Sequence, residues 1–217
     1  MRNTDSFLPT AAAMVVASLL AWPVTGAAQL LGIGSPVPPL PIGGGGTTQT
    51  VTGTASAVQA TTLGIVTVTT LASTGSLSSL TDARDASQLM GSVPGLLGAE
   101  TLHATAIGLS DRVASQASLG NLALGIGAIS IGADAVLAQA EAGAGSATGS
   151  SVLGNLTLNG APVDVSGAPN QAIWVPGGQL VINEQTATPG GIVVNALHLV
   201  VDGVADVVLG SATAAVQ

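Results

Sequence analysis

GSSVLGNLTLNGAPVDVSGAPNQAIWVPGGQLVINEQ, residues 149–185, and IVVNALHLVVDGVADVVLGSATA, residues 192–214, decide the fold. Asn159-Gly160 is the strongest local signal in them. Asn-Gly accepts positive φ at both positions, as a type I′ turn requires, and that turn twists with paired strands. A two-residue loop here pairs Leu158 with Ala161 and Leu156 with Val163 on one face. Asn155, Thr157, Pro162 and Asp164 then fall on the other. Pro162 cannot donate to a ladder, so its strand is expected to have an edge. Gly167, Pro169 and Asn170 mark the next break, and Pro176-Gly177-Gly178 another. Leu180 and Ile182 alternate into a strand expected to end near Asn183-Glu184. IVVNALHLVV is apolar at both parities, which predicts a strand covered on both faces. Asp202-Gly203 then turns the chain into a hairpin partner. Short strands between Gly, Pro and Asn turns predict an all-β fold, an antiparallel β-sandwich or flattened barrel.

Upstream, TVTGTASAVQ and TLGIVTVTT from Thr50 onward are rich in Thr and Val, with period-2 stretches. TDARDASQLM, residues 81–90, reads as a short helix capped by Thr81, with Asp82 and Asp85 in its first turn and Leu89 and Met90 inward. In ETLHATAIG, Leu102, Ala104 and Ala106 share one face and His103, Thr105 and Ile107 the other. Gly125, Gly127 and Gly132 suggest bulges or a tight bend. ADAVLAQAEA, residues 133–142, is helical by propensity but echoes ADVVLGSATA, residues 205–214, at a constant offset, so both are read as strands. No period of solenoid length appears.

Residues 1–28 have the pattern of a secretory signal peptide. Arg2 supplies the n-region, residues 11–22 the apolar core, and Gly26 and Ala28 a small-residue cleavage site. The apolar run is too short for a comfortable membrane span, and no span is expected after cleavage. Residues 29–49, with SPVPPLPIGGGG, read as a Pro/Gly-rich linker, and residues 50–217 as a single β domain. The C-terminal GSATAAVQ has no hydrophobic tail, so any attachment is expected to be non-covalent.

The composition narrows function. The 217 residues contain 6% charged and 1% aromatic side chains, no cysteine, and a net charge of −8. Phosphate binding needs clustered Lys or Arg, and only Arg84 and Arg112 follow the leader, which excludes nucleic acid. A core of small aliphatics suits closely spaced sheets. His103 and His198 are the only histidines; with Asp202 or Glu100 they form a weak metal-ligand set. No GxSxG elbow is present. Glu100, Glu141 and Glu184 are carboxylates without a recognisable pairing. Asp202-Gly203 and Asp206 are read as a hairpin turn rather than a Ca²⁺ loop. Neither catalytic nor metal residues nor a cofactor are assigned. Trp174 either plugs the core beneath Pro176 or lies exposed as a contact residue; the scarcity of other large side chains favours the plug, whose loss would cost about 3–5 kcal/mol.

NLTLNG at 155–160, GAPN at 167–170, PGG at 176–178, LVINEQ at 180–185 and VNALHL at 194–199 resemble the C-terminal half of the bacterial choice-of-anchor P family. The resemblance covers about 65 residues well. It implies an exported bacterial protein of undefined activity and supplies no catalytic residues. The reading is therefore a secreted, non-enzymatic protein of the cell surface or extracellular matrix, with the periplasm open as a location. An unknown protein or polysaccharide is expected as partner, and homo-oligomerisation is left open. The alternatives are a module using Thr-rich strands to bind ice or another ordered surface, and a carbohydrate-active enzyme with two carboxylates across a groove.

Overall fold

A computed structural model describes residues 49–62 and 67–217. The expected signal peptide and nearly all of the linker lie outside the described residues. The described residues form thirteen strands in two antiparallel sheets packed face to face, with no helix among them. In chain order they are β1 (Val51–Thr62), β2 (Thr67–Ser73), β3 (Ala83–Val93), β4 (Leu97–Gly108) and β5 (Arg112–Ile126). There follow β6 (Ile129–Gly143), β7 (Ser146–Gly154), β8 (Thr157–Leu158) and β9 (Ala161–Pro162). The chain ends with β10 (Gln171–Val175), β11 (Gly178–Thr188), β12 (Gly191–Val201) and β13 (Ala205–Val216). Sheet one runs β10-β11-β12-β13-β1-β2. Sheet two runs β3-β4-β5-β6-β8-β9, with β7 also on β6. Each sheet keeps two free edges, so the architecture is a sandwich and not a closed barrel. From β1 in sheet one the chain builds all of sheet two and returns so that β13 pairs with β1.

Turn chemistry sets these registers. Asn159 and Gly160 both have positive φ (52° and 77°), and Leu158 pairs with Ala161 as the type I′ turn demands. Pro162 lies on the outermost strand of sheet two, where its missing donor costs nothing. Gly177 has φ 71°, the signature of a type II turn after Pro176, and joins Val175 to Gly178. Gly178 itself has no room for a side chain, since a Cβ would lie 1.9 Å from the Val200 carbonyl oxygen. Gly203 turns β12 into β13 as expected. Of the three glycines expected at a bend, only Gly127 makes one, the β5–β6 hairpin.

A seam crosses both sheets at mid-strand. On alternate strands of sheet one, Asn183, Gly210 and Ala72 adopt positive φ; in sheet two Thr101, Asn121 and Asn155 do so. The left-handed residue reverses the inward–outward phase of its strand, and the neighbouring strands follow. In sheet one the slip leaves consecutive residues buried, such as Ala57-Val58, Ala196-Leu197 and Leu209-Gly210. In sheet two it turns consecutive residues outward, as at Glu100-Thr101 and Asp134-Ala135. β7 and β8 share one register against β6 and are a single strand broken at Asn155, with β9 paired outside its β8 half.

Four expectations are corrected by this geometry. Residues 81–90 are not a helix. Asp82 ties the preceding loop, accepting from the Ser78 N–H (2.8 Å), and the chain from Ala83 pairs in register with β4. Leu89 and Met90 face solvent, 84% and 77% exposed, because the seam turns both outward. IVVNALHLVV is covered on one face only: Val194, Ala196, Leu197, Leu199 and Val201 are buried, and the double parity comes from the phase slip at 196/197. The strand through Leu180 and Ile182 continues past Asn183-Glu184 to Thr188.

The segment at 133–142 is indeed strand, and it packs across the core from its echo: β6 faces β13. The echo holds at Ala133/Ala205, Ala140/Ala212 and Ala142/Ala214, all buried. It fails at Val136/Val208, where only Val136 is inward, because the two strands slip phase at different points. The core is lined by Ala, Val, Leu and Ile, with Leu77 from the 74–82 loop closing one end over Gly53.

Candidate functional site

The outward face of sheet one carries the most connected polar group among the described residues. β11, β12 and β13 lie side by side, and beyond the seam their outward positions are Glu184, Asn195 and Ser211, directly opposite one another. On the near side His198 and Asp206 point the same way. Glu184 Oε2 accepts from Asn195 Nδ2 (2.6 Å) and from His198 Nδ1 (2.9 Å). His198 Nε2 lies 3.0 Å from Asp206 Oδ1, and Ser211 Oγ donates to Asn195 Oδ1 at 2.8 Å.

A carboxylate only accepts, so a carboxylate facing each ring nitrogen favours the doubly protonated imidazole. The electrostatics agree. Partial burial alone pulls His198 down, but the hydrogen bonds and charges of Glu184 and then Asp206 outweigh it and raise the pKa above its ordinary 6.5. The arrangement therefore stores a proton and ties three strands together. Both ring nitrogens of His198 face carboxylates, and Ser211 is engaged with Asn195 rather than with His198.

Trp174 stands on the same face. It is 81% exposed, while Val175 turns into the core. The expected plug is thus reversed, and Val175 closes the core beside the Pro176–Gly177 turn. Trp174 opens a cross-strand row of outward positions: Trp174 opposite Gln179, then Val200, Asp206, Thr61 and Val68. Val68 at the far end is 68% exposed.

The two histidines do not meet. His103 is on the outward face of sheet two, between Ser87 Oγ (2.8 Å) and Thr105 Oγ1 (2.8 Å), whereas His198 faces outward from sheet one. They occupy opposite outer surfaces of the sandwich. Glu100 accepts from Asn121 Nδ2 (2.8 Å) and Glu141 pairs with Arg112 (3.3 Å), both in sheet two; Asp202 is in the β12–β13 turn. Among the described residues no three acidic or histidine side chains converge as a metal-ligand set. Thr52, Thr54, Thr61, Thr186 and Thr213 share the outer face of sheet one but are interleaved with Ser56, Gln59, Asn195 and Val193.

Sequence reasoning had named His198, Glu184 and Asp206 singly and missed their union. The signal was present, since Glu184 and Asp206 flank the N-A-L-H strand at hairpin distance on both sides. Reading it required the phase slip that puts Asn195 and His198 on one face. The chain is thus an antiparallel β-sandwich with one polar, tryptophan-bearing outer face. Compared with known proteins, it matches no family model, no curated protein and no solved structure.

Proposed function

We propose that the protein is exported and acts without catalysis, as a structural or interaction module at a bacterial surface or in the extracellular matrix. One observation carries this reading. Trp174, the sole aromatic residue after position 28, lies on the outer face of sheet one instead of in the core. Burying a tryptophan removes 150–250 Å² from water and stabilises by about 4–6 kcal/mol at 25 cal/mol per Å². A domain that leaves this side chain outside keeps that surface for a partner. The signal pattern of residues 1–28 and the resemblance to choice-of-anchor P proteins support export.

Fractionation of the producing cell with intact-mass measurement tests export. The expected product begins at Gln29 and is recovered outside the cytoplasm. Recovery from the cytoplasm with residues 1–28 attached would overturn it. A crosslinked pull-down of the exported protein, compared with its Trp174→Ala variant, then tests whether this face holds the partner.

A further inference from the structure

We infer that the outer face of sheet one binds a linear polysaccharide of amino sugars, laid across the strands along the row Trp174, Gln179, Val200, Asp206, Thr61 and Val68. This rests on the interaction reading above and gives its partner a chemistry.

Spacing comes first. Adjacent strands lie about 4.8 Å apart, close to the length of one pyranose residue in an extended chain. A glycan running across the sheet therefore meets one outward side chain per sugar. All six positions are direct cross-strand neighbours, so the row is continuous from edge strand β10 to edge strand β2.

The chemistry of the row comes second. Trp174 offers an exposed indole face at one end, suited to stacking on the C–H face of a sugar ring or receiving an ammonium. Gln179 supplies an amide that both donates and accepts, Asp206 a carboxylate, and Thr61 a hydroxyl. Val200 lies between the two polar groups and gives a ring an apolar floor.

Charge selects among glycans. The chain has no lysine, and both described arginines, Arg84 and Arg112, belong to sheet two. Among the described residues the outward face of sheet one carries Glu184 and Asp206, with His198 between them. A polyuronate or sulfated glycan would meet two carboxylates and a single histidine already held between them, so the face stays net negative. A polymer bearing protonated amines is attracted to the same surface, at Asp206 and at the indole.

Isothermal titration of the full chain with a glucosamine hexamer, cellohexaose and a hexauronate tests the assignment, below the pKa of the sugar amine. The glucosamine hexamer should bind most tightly and the hexauronate not at all. Trp174→Ala should weaken binding about three- to thirtyfold, given 0.5–2 kcal/mol for a cation–π contact, and Trp174→Phe should fall in between. Asp206→Asn should weaken the glucosamine hexamer but not cellohexaose. Melting curves of each variant show that it is folded, and Gln179→Ala provides a second reading of the row away from the His198 cluster. Absence of glucosamine-hexamer binding, hexauronate binding of equal strength, or an unaffected Trp174→Ala would overturn the inference. An exported protein that fails this titration refutes the glycan alone, whereas cytoplasmic recovery refutes the export reading beneath it.

Discussion

At the scale of single residues, His198 and Trp174 separate what the sequence shows from what it hides. Both were visible as rare side chains; their surroundings were not. Trp174 was expected inside because a core of small aliphatics has few large groups to fill it. The alternation Ile173, Trp174, Val175 in fact places the indole outward, since Val175 must close the core beside the Pro176–Gly177 turn. Trp174→Ala should then shift stability by less than about 0.5 kcal/mol, as for other surface substitutions, and a thermal melt checks it. A loss in the 3–5 kcal/mol range would restore the buried reading. For His198 the sign follows from its raised pKa. Its contribution is fully present below the unfolded value near 6.5 and is lost as pH rises through the folded value. The melting temperature should therefore fall from mildly acidic to mildly alkaline pH. A His198→Gln variant should start lower and show a flatter profile. Asp82 behaves oppositely. The Ser78 N–H, the Arg84 guanidinium and the Ser78 hydroxyl hold its pKa at about 2, so its contribution is lost only as pH falls through that value.

At the scale of elements, strands were legible where a turn and an unbroken alternation agreed. Asn159-Gly160 and Leu102, Ala104 and Ala106 are such cases. They were illegible where the seam interrupts the period. β3 is the clearest loss. As an edge strand it buries little beyond Val93, and its phase slip exposes Leu89 and Met90 together. What remained was a polar run with acidic residues at its start, which imitates a capped helix. The candidate site was hidden by the same slip, because simple alternation puts Asn195 and His198 on opposite faces. The seam makes a prediction of its own. Gly210 has φ 65° and packs 3.3 Å, from its virtual Cβ, against Ala196. Gly210→Ala should cost about 1–2 kcal/mol, the usual penalty for an L side chain in the left-handed region. Gly125 in β5 has open space around it, and Gly125→Ala should be neutral or stabilising by up to about 1 kcal/mol. Paired urea titrations read both; equal effects at the two sites would show that the seam conformation is not what constrains Gly210.

At the scale of the whole molecule, composition sets the distance between the sheets. β6 contributes Ala138, Ala140 and Ala142 to the core, and β13, facing it, Ala212 and Ala214, all buried. Small side chains on both sides let the sheets approach closely. Gly149 of β7 marks how little room is left, since a Cβ there would come within 2.3 Å of Val194 Cγ2 in the opposite sheet. A sandwich of this kind is limited by volume rather than by apolar area. Ala212→Leu adds apolar surface to a fully buried site, which buried area alone scores as a gain of three methylene-sized steps at about 0.8 kcal/mol each. Close packing predicts the reverse: the larger side chain forces neighbours off their rotamers or the sheets apart, and should destabilise by about 1–3 kcal/mol. Leu209→Ala, three residues earlier on the same strand, should cost about 2–5 kcal/mol by leaving a cavity. Urea unfolding with an unchanged slope checks both. If Ala212→Leu instead raised the midpoint, the sheets would have slack between them.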